Sequence, residues 1–77
     1  MTLYCEDNNL TSLDVSKNTA LTYLNCEDNN LTSSALNKIF NDLPYTGGHL
    51  WISRNPGSRT CDTSIAYNKG WLALISA

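Results

Sequence analysis

No hydrophobic run in this 77-residue chain is long enough to cross a bilayer, which takes about 20 apolar residues. Positive charge is scarce: five Lys and Arg stand against seven Asp and Glu, for a net charge of −2. A nucleic-acid surface is basic, so no nucleic-acid partner is expected. The one histidine, His49, has no nucleophile arranged beside it. Ser53 falls on the same predicted strand face four residues on, too far along an extended chain for a hydrogen bond. No glycine-rich phosphate loop and no Cys-x-x-Cys pair occur. These gaps leave no catalytic constellation and point to neither a cofactor nor a metal centre, so the chain reads as a non-enzyme. Its three cysteines are an odd number, which leaves the redox compartment open. The length allows one domain, 1–77, whose core supplies only about 3–5 kcal/mol.

What is present is a repeat. Cys5-Glu6-Asp7-Asn8-Asn9-Leu10-Thr11-Ser12 recurs without change, 21 residues on, as Cys26 to Ser33. Around the second copy, apolar residues fall at Leu21, Leu24, Cys26 and Leu31, with Asn29 between. Leu24 and Cys26 are two apart and therefore share one face of a strand, while Asn25 points to the other. An L-x-x-L-x-L/C-x-x-N-x-L pattern at a period of this size is the signature of a solenoid whose units stack on their neighbours.

The units are expected at about 1–20, 21–48 and 49–69, with a terminal strand over 70–77. Strands are predicted at about 1–6, 22–26 and 49–53, with Leu3, Cys5, Leu24, Cys26, Leu50 and Ile52 inward. Cys5 and Cys26 are thus read as core residues, not as a disulfide or metal ligands. The step from Cys26 to Ile52 is 26 residues, five longer than the first repeat, and a longer helix uses the difference. That helix is expected over 33–43, since Leu36, Ile39, Phe40 and Leu43 are spaced i, i+3, i+4, i+7. Ser33 or Ser34 is expected to cap its start, and Pro44 to end it. A short second helix is expected from Asp62 or Thr63 to about Lys69, stopped by a left-handed Gly70. In Trp71-Leu72-Ala73-Leu74-Ile75 a 21-residue step puts Trp71 and Ala73 inward, with the opposite register left open. Asn8, Asn29 and Asn55 are expected to satisfy turn backbone groups.

These residues resemble the C-terminal end of a leucine-rich-repeat protein. More narrowly, Leu10 to Ala20 and Leu21 to Ser33 are similar to units of bacterial cell-surface repeat proteins reading L-T-x-L-x-C-x-x-N-x-L-T-S-L-D-V-S-x-N-T-x. Ser34-Ala35-Leu36-Asn37-x-x-Phe40, Asn55-Pro56-Gly57 and Cys61-Asp62-x-Ser64-Ile65-Ala66-x-x-Lys69-Gly70-Trp71 resemble the elements that close such proteins. The resemblance implies an α/β solenoid fragment. It has about four short parallel strands, with helices or irregular segments on the convex side. It also implies protein or ligand binding at an outer surface, without catalysis. The parent would be extracellular or at the cell surface. This chain departs from the family in its few repeats and in lacking a secretion signal, and so reads as a piece of a longer protein.

The candidate site is the exposed sheet face. Its expected members are Tyr4 and Glu6 on the first strand, Tyr23, Asn25 and Glu27 on the second, and His49, Trp51 and Ser53 on the third. Tyr and Trp supply rigid contact area and are enriched in binding hot spots, so a protein or glycan partner is expected here. The bland alternatives are that repetition alone made the acidic ladder, and that Trp51 packs on Tyr4 or Tyr23. A purely structural closing role for the segment is a further alternative. Glu6, Asp7, Glu27 and Asp28 stack about 5 Å apart and would suit Ca²⁺. Arg54 on the next rung favours an ion pair with Asp28 instead. Residues 1–6 form an edge strand, which is expected to invite self-association through residues 1–15.

Overall fold

The computed structural model describes residues 1–75. Strands β1 (Thr2–Tyr4) and β2 (Tyr23–Asn25) are followed by helix α1 (Ser33–Asp42), strand β3 (Gly48–Trp51), helix α2 (Ser64–Tyr67) and strand β4 (Trp71–Leu74). The strands pair in sequence order and in parallel, as one four-stranded sheet of a mixed α/β chain. Parallel neighbours cannot be joined by a hairpin, so each connection returns across one side of the sheet. Helix α1 packs on α2, and α2 on β4. The β1–β2 return contains no helix and instead buries Val15, with Leu10 and Leu13 packed beside it.

Pairing places Leu3, Leu24, Leu50 and Ala73 in one row. This row faces a core that also holds Leu21, Cys26, Leu31, Ile52 and Trp71, together with Leu36, Ile39 and Phe40 from α1. The 26-residue step from the second to the third unit is therefore as expected, with Leu24 opposite Leu50. The last step is longer than the expected 21. Trp71 pairs with Gly48 and Ala73 with Leu50, a step of 23, so the connection from β3 to β4 is two residues longer than the repeat. Period-two alternation keeps Trp71 and Ala73 inward all the same. Of the terminal strand expected over 70–77, residues 76 and 77 lie outside the described ones.

Every strand is shorter than expected. The ladder continues past β1 and β2 as single bonds, from Cys5 N to Asn25 O (2.9 Å) and from Asp7 N to Glu27 O (3.1 Å). It then stops, because Asp7, Asp28 and Arg54 turn left-handed at φ 58°, 57° and 58°. Three equivalent residues without glycine's freedom are held there, at about 1–2 kcal/mol each. The asparagine that comes after each one supplies the compensation. Asn29 Nδ2 donates to Cys26 O (3.0 Å), Glu27 O (3.1 Å) and Cys5 O of the unit before (3.1 Å), and its Oδ1 accepts from Leu10 N (3.1 Å). Asn55 repeats this set on Ile52 O, Ser53 O, Cys26 O and Leu31 N.

The helix ends correct two expectations. The N-cap of α1 is Thr32, whose Oγ1 accepts from Ala35 N (3.3 Å). Ser33 is already helical, and its hydroxyl turns instead to Thr60. Helix α2 is also shorter than 62–69, although Gly70 does adopt φ 84° just after it. Lys69 donates to Leu43 O (2.9 Å) and Asn41 O, taking up carbonyls at the C-terminal end of α1. Trp71 Nε1 donates to Pro44 O (2.8 Å), so the largest buried side chain has no orphaned polar atom.

Candidate functional site

Because successive strand residues alternate, the row behind the core row faces the open side of the sheet. Thr2, Tyr23, His49 and Leu72 align there across the four strands, and Tyr4, Asn25, Trp51 and Leu74 form the next row. Thr2, Tyr4, His49 and Leu72 are exposed, while Tyr23, Asn25, Trp51 and Leu74 are half-buried. Tyr4 and Tyr23 form a tilted ring pair with centroids 5.5 Å apart and planes at 56°. Such a pair stabilises two large side chains on an open surface. Trp51 is not part of that pair: it stands in the row of Tyr4 with Asn25 between them. Asn25 is partly engaged, since its Oδ1 accepts from Glu27 N (3.1 Å).

Glu6 and Glu27 continue these rows past the strand ends, where both are half-buried. Ser53 occupies the corresponding place, as the bond from Asp28 N to Ser53 O (3.1 Å) shows, but it is fully buried. It is not part of the open face. Of the eight expected face residues, the structure thus brings Tyr4, Tyr23, Asn25, His49 and Trp51 together on the sheet, with Glu6 and Glu27 along its border. Leu72 and Leu74 were not among them. Leu72 is 42 % exposed beside His49, and Leu74 flanks Trp51. The signal for both was the alternation in 71–74: the expected inward placing of Trp71 and Ala73 turns Leu72 and Leu74 outward, and the pairing of β4 agrees with that parity.

Beyond the border the charges pair. Arg54 Nε lies 2.7 Å from Asp28 Oδ1, and its Nη2 lies 3.8 Å from Glu27 Oε1. The hydrogen bond from Arg54 holds the Asp28 carboxyl below its ordinary range and raises the guanidinium. The acidic ladder is thus closed by a cation at its third rung. Among the described residues no group of three or more His, Cys, Asp or Glu is arranged to hold a metal ion.

The cysteines stack on the other side. Cys5 Sγ donates to Asn25 O (3.2 Å) and Cys26 Sγ to Trp51 O (3.4 Å), each to the neighbouring unit's strand. Burial pushes the Cys26 thiol up to about 12 and raises Cys5 and Cys61 as well. All three are free thiols, and Cys61 packs against the core, donating to Ser58 O (3.6 Å). Raised thiols are poor nucleophiles, which suits the packing role read for Cys5 and Cys26.

Among the described residues no helix is long and apolar enough to cross a membrane. No protein-family model, curated protein or solved structure significantly matches this chain.

Proposed function

We propose that the chain is a leucine-rich-repeat solenoid segment that acts as a non-catalytic recognition module. It binds a protein or glycan through the open sheet face, and its parent is a bacterial extracellular or cell-surface protein. The observation that carries this reading is the stack of aromatic and apolar side chains left uncovered on that face. Tyr4 is 65 % exposed, and Tyr23, His49, Trp51, Leu72 and Leu74 continue the surface. Continuous apolar and aromatic surface on a small protein marks interaction sites, and open sheet faces are how stacked repeats present extended binding surfaces.

The test is a screen of the folded protein against glycan and peptide arrays, followed by titration of any ligand into Tyr23→Ala and Trp51→Ala. Loss of about tenfold or more in affinity with an unchanged melt is expected of hot-spot residues. A ligand whose affinity neither substitution alters would instead leave the segment a structural closing unit. The calcium-stabilised alternative is weaker, because Arg54 already engages Asp28. It requires a melting temperature that falls on adding chelator.

A second surface supports self-association. Leu3, Cys5 and Leu10 remain half-buried where their counterparts Leu24, Cys26 and Leu31 are fully buried. The outer side of β1 therefore suits a further repeat-like unit or a second copy of the chain. Sedimentation across a concentration series reads this directly: a dimer is expected, and a monomer at all concentrations overturns it.

A further inference from the structure

The duplicated octapeptide contains Asn9-Leu10-Thr11 and Asn30-Leu31-Thr32, two copies of the Asn-x-Thr acceptor signal for N-linked glycans. Both asparagines are exposed, each just past a left-handed turn and its ladder asparagine. Neither side-chain amide is held by a hydrogen bond within the described residues. The residue between is pinned in both copies. Leu10 N donates to Asn29 Oδ1 (3.1 Å) and Leu10 O accepts from Asn30 N (2.8 Å). Leu31 N donates to Asn55 Oδ1 (3.1 Å) and Leu31 O accepts from Gly57 N (2.9 Å).

The two copies part ways at the threonine. Both threonines are exposed, but Thr11 leads into the helix-free return segment. Thr32 is the N-cap of α1, with its Oγ1 committed to Ala35 N at 3.3 Å. Leu31 is fully buried, whereas Leu10 is only half-buried. A transferase must take the asparagine amide and the threonine hydroxyl together. At the second copy this means undoing a helix cap and drawing out a core leucine.

We propose that Asn9 is an N-glycan acceptor in the folded protein and that Asn30, in the same local sequence, is not. The co-reactant is a polyprenyl-pyrophosphate-linked oligosaccharide. Asn9 Nδ2 forms a bond to the anomeric carbon of its first sugar. The bond from that carbon to the pyrophosphate oxygen breaks, polyprenyl pyrophosphate leaves with the electron pair, and the amide proton passes to a base of the transferase. No oxidant or reductant is needed. The glycan would stand at the turn beyond the C-terminal end of β1, bordering the open sheet face.

The experiment uses the folded 77-residue chain, a purified oligosaccharyltransferase and the lipid-linked oligosaccharide. Occupancy is read by peptide mass spectrometry, which separates the two copies by their flanking residues. Peptides spanning 3–14 and 24–35 serve as unfolded references and are expected to accept glycan to similar extents. In the folded chain, occupancy of Asn9 is expected to exceed that of Asn30 by about tenfold or more, since a lost cap and an exposed leucine each disfavour the open state severalfold. Asn9→Gln, an exposed substitution, is expected to abolish the signal. A folded chain modified at neither site, or equally at both, overturns the proposal. The readout does not depend on the sheet face binding anything.

Discussion

The side chain of Asn55 donates to the carbonyl of Cys26, 29 residues earlier, at 3.0 Å. It ties the turn of the third unit to the strand end of the second. Asn29 does the same for Cys5 at 3.1 Å. Each of these amides serves two units at once, so the repeats are joined by polar as well as apolar contacts.

Truncating either of these asparagines should therefore be costly. Asn29→Ala and Asn55→Ala each leave several turn groups without a partner, and about 2–4 kcal/mol of stability is expected to be lost. Asn8 is exposed and, among the described residues, its side chain bonds only Cys5 O (2.9 Å) and Glu6 O (3.1 Å) within its own turn. Asn8→Ala should cost less than about 1 kcal/mol. Urea unfolding of the three variants checks the order. Equal losses would mean that the inter-unit bonds carry no extra weight.

Gly57 is required by closeness, not by backbone angle. A Cβ at this position would lie 2.2 Å from Ser33 N and 2.7 Å from Ser33 Cα, at the start of α1. Gly57→Ala must push the 56–60 loop away from the helix and break the bond from Gly57 N to Leu31 O (2.9 Å). A loss of about 1–3 kcal/mol is expected by thermal melting, as for overpacked sites generally. An unchanged melt would mean that the loop gives way freely.

The Asp28–Arg54 pair sets a pH dependence of known sign. The folded-state pKa of Asp28 is depressed by the Arg54 hydrogen bond. Its contribution is thus present above the unfolded carboxylate value of about 4 and is lost as pH falls through the folded value. Melting temperature should fall below about pH 4 more steeply in the parent chain than in Asp28→Asn. Both side chains reach solvent, so the difference at neutral pH is small. Parallel curves for the two proteins would remove the pair as a source of the pH dependence.

Thiol reactivity should rank the cysteines by burial. Cys26 is fully buried and pushed up to about 12, so at about pH 8 it stays protonated and shielded, while Cys5 and Cys61 are half-buried. Alkylation followed by mass spectrometry should label Cys5 and Cys61 well before Cys26, with Cys26 reacting only on unfolding. Because its folded pKa is raised, Cys26 stabilises the fold below the unfolded thiol value of about 8.5, and that contribution is lost as pH rises toward 12. Early labelling of Cys26 would mean that the second unit opens readily.

Much of this organisation was legible in the residues alone. The identical octapeptides, the two-residue spacing of Leu24 and Cys26, and the i, i+3, i+4, i+7 spacing of α1 are local signals. Local signals determine which residues form elements and which side of each element is apolar. They placed Tyr4, Tyr23, Asn25, His49 and Trp51 on one face, and they suggested the ion pair of Asp28 with Arg54. Other features depend on distances between units, which the sequence does not encode position by position. The step of 23 into β4 is one of them, although a step of 21 would have turned Leu72 and Leu74 to the same open face. Ser53 stands at the position of Glu27, yet tertiary packing buries it fully. Thr11 and Thr32 sit in the same eight residues, yet only Thr32 is tied to a helix. Sequence determined that the two copies are the same peptide; the chain beyond each, and its packing partners, decided that they are not the same site.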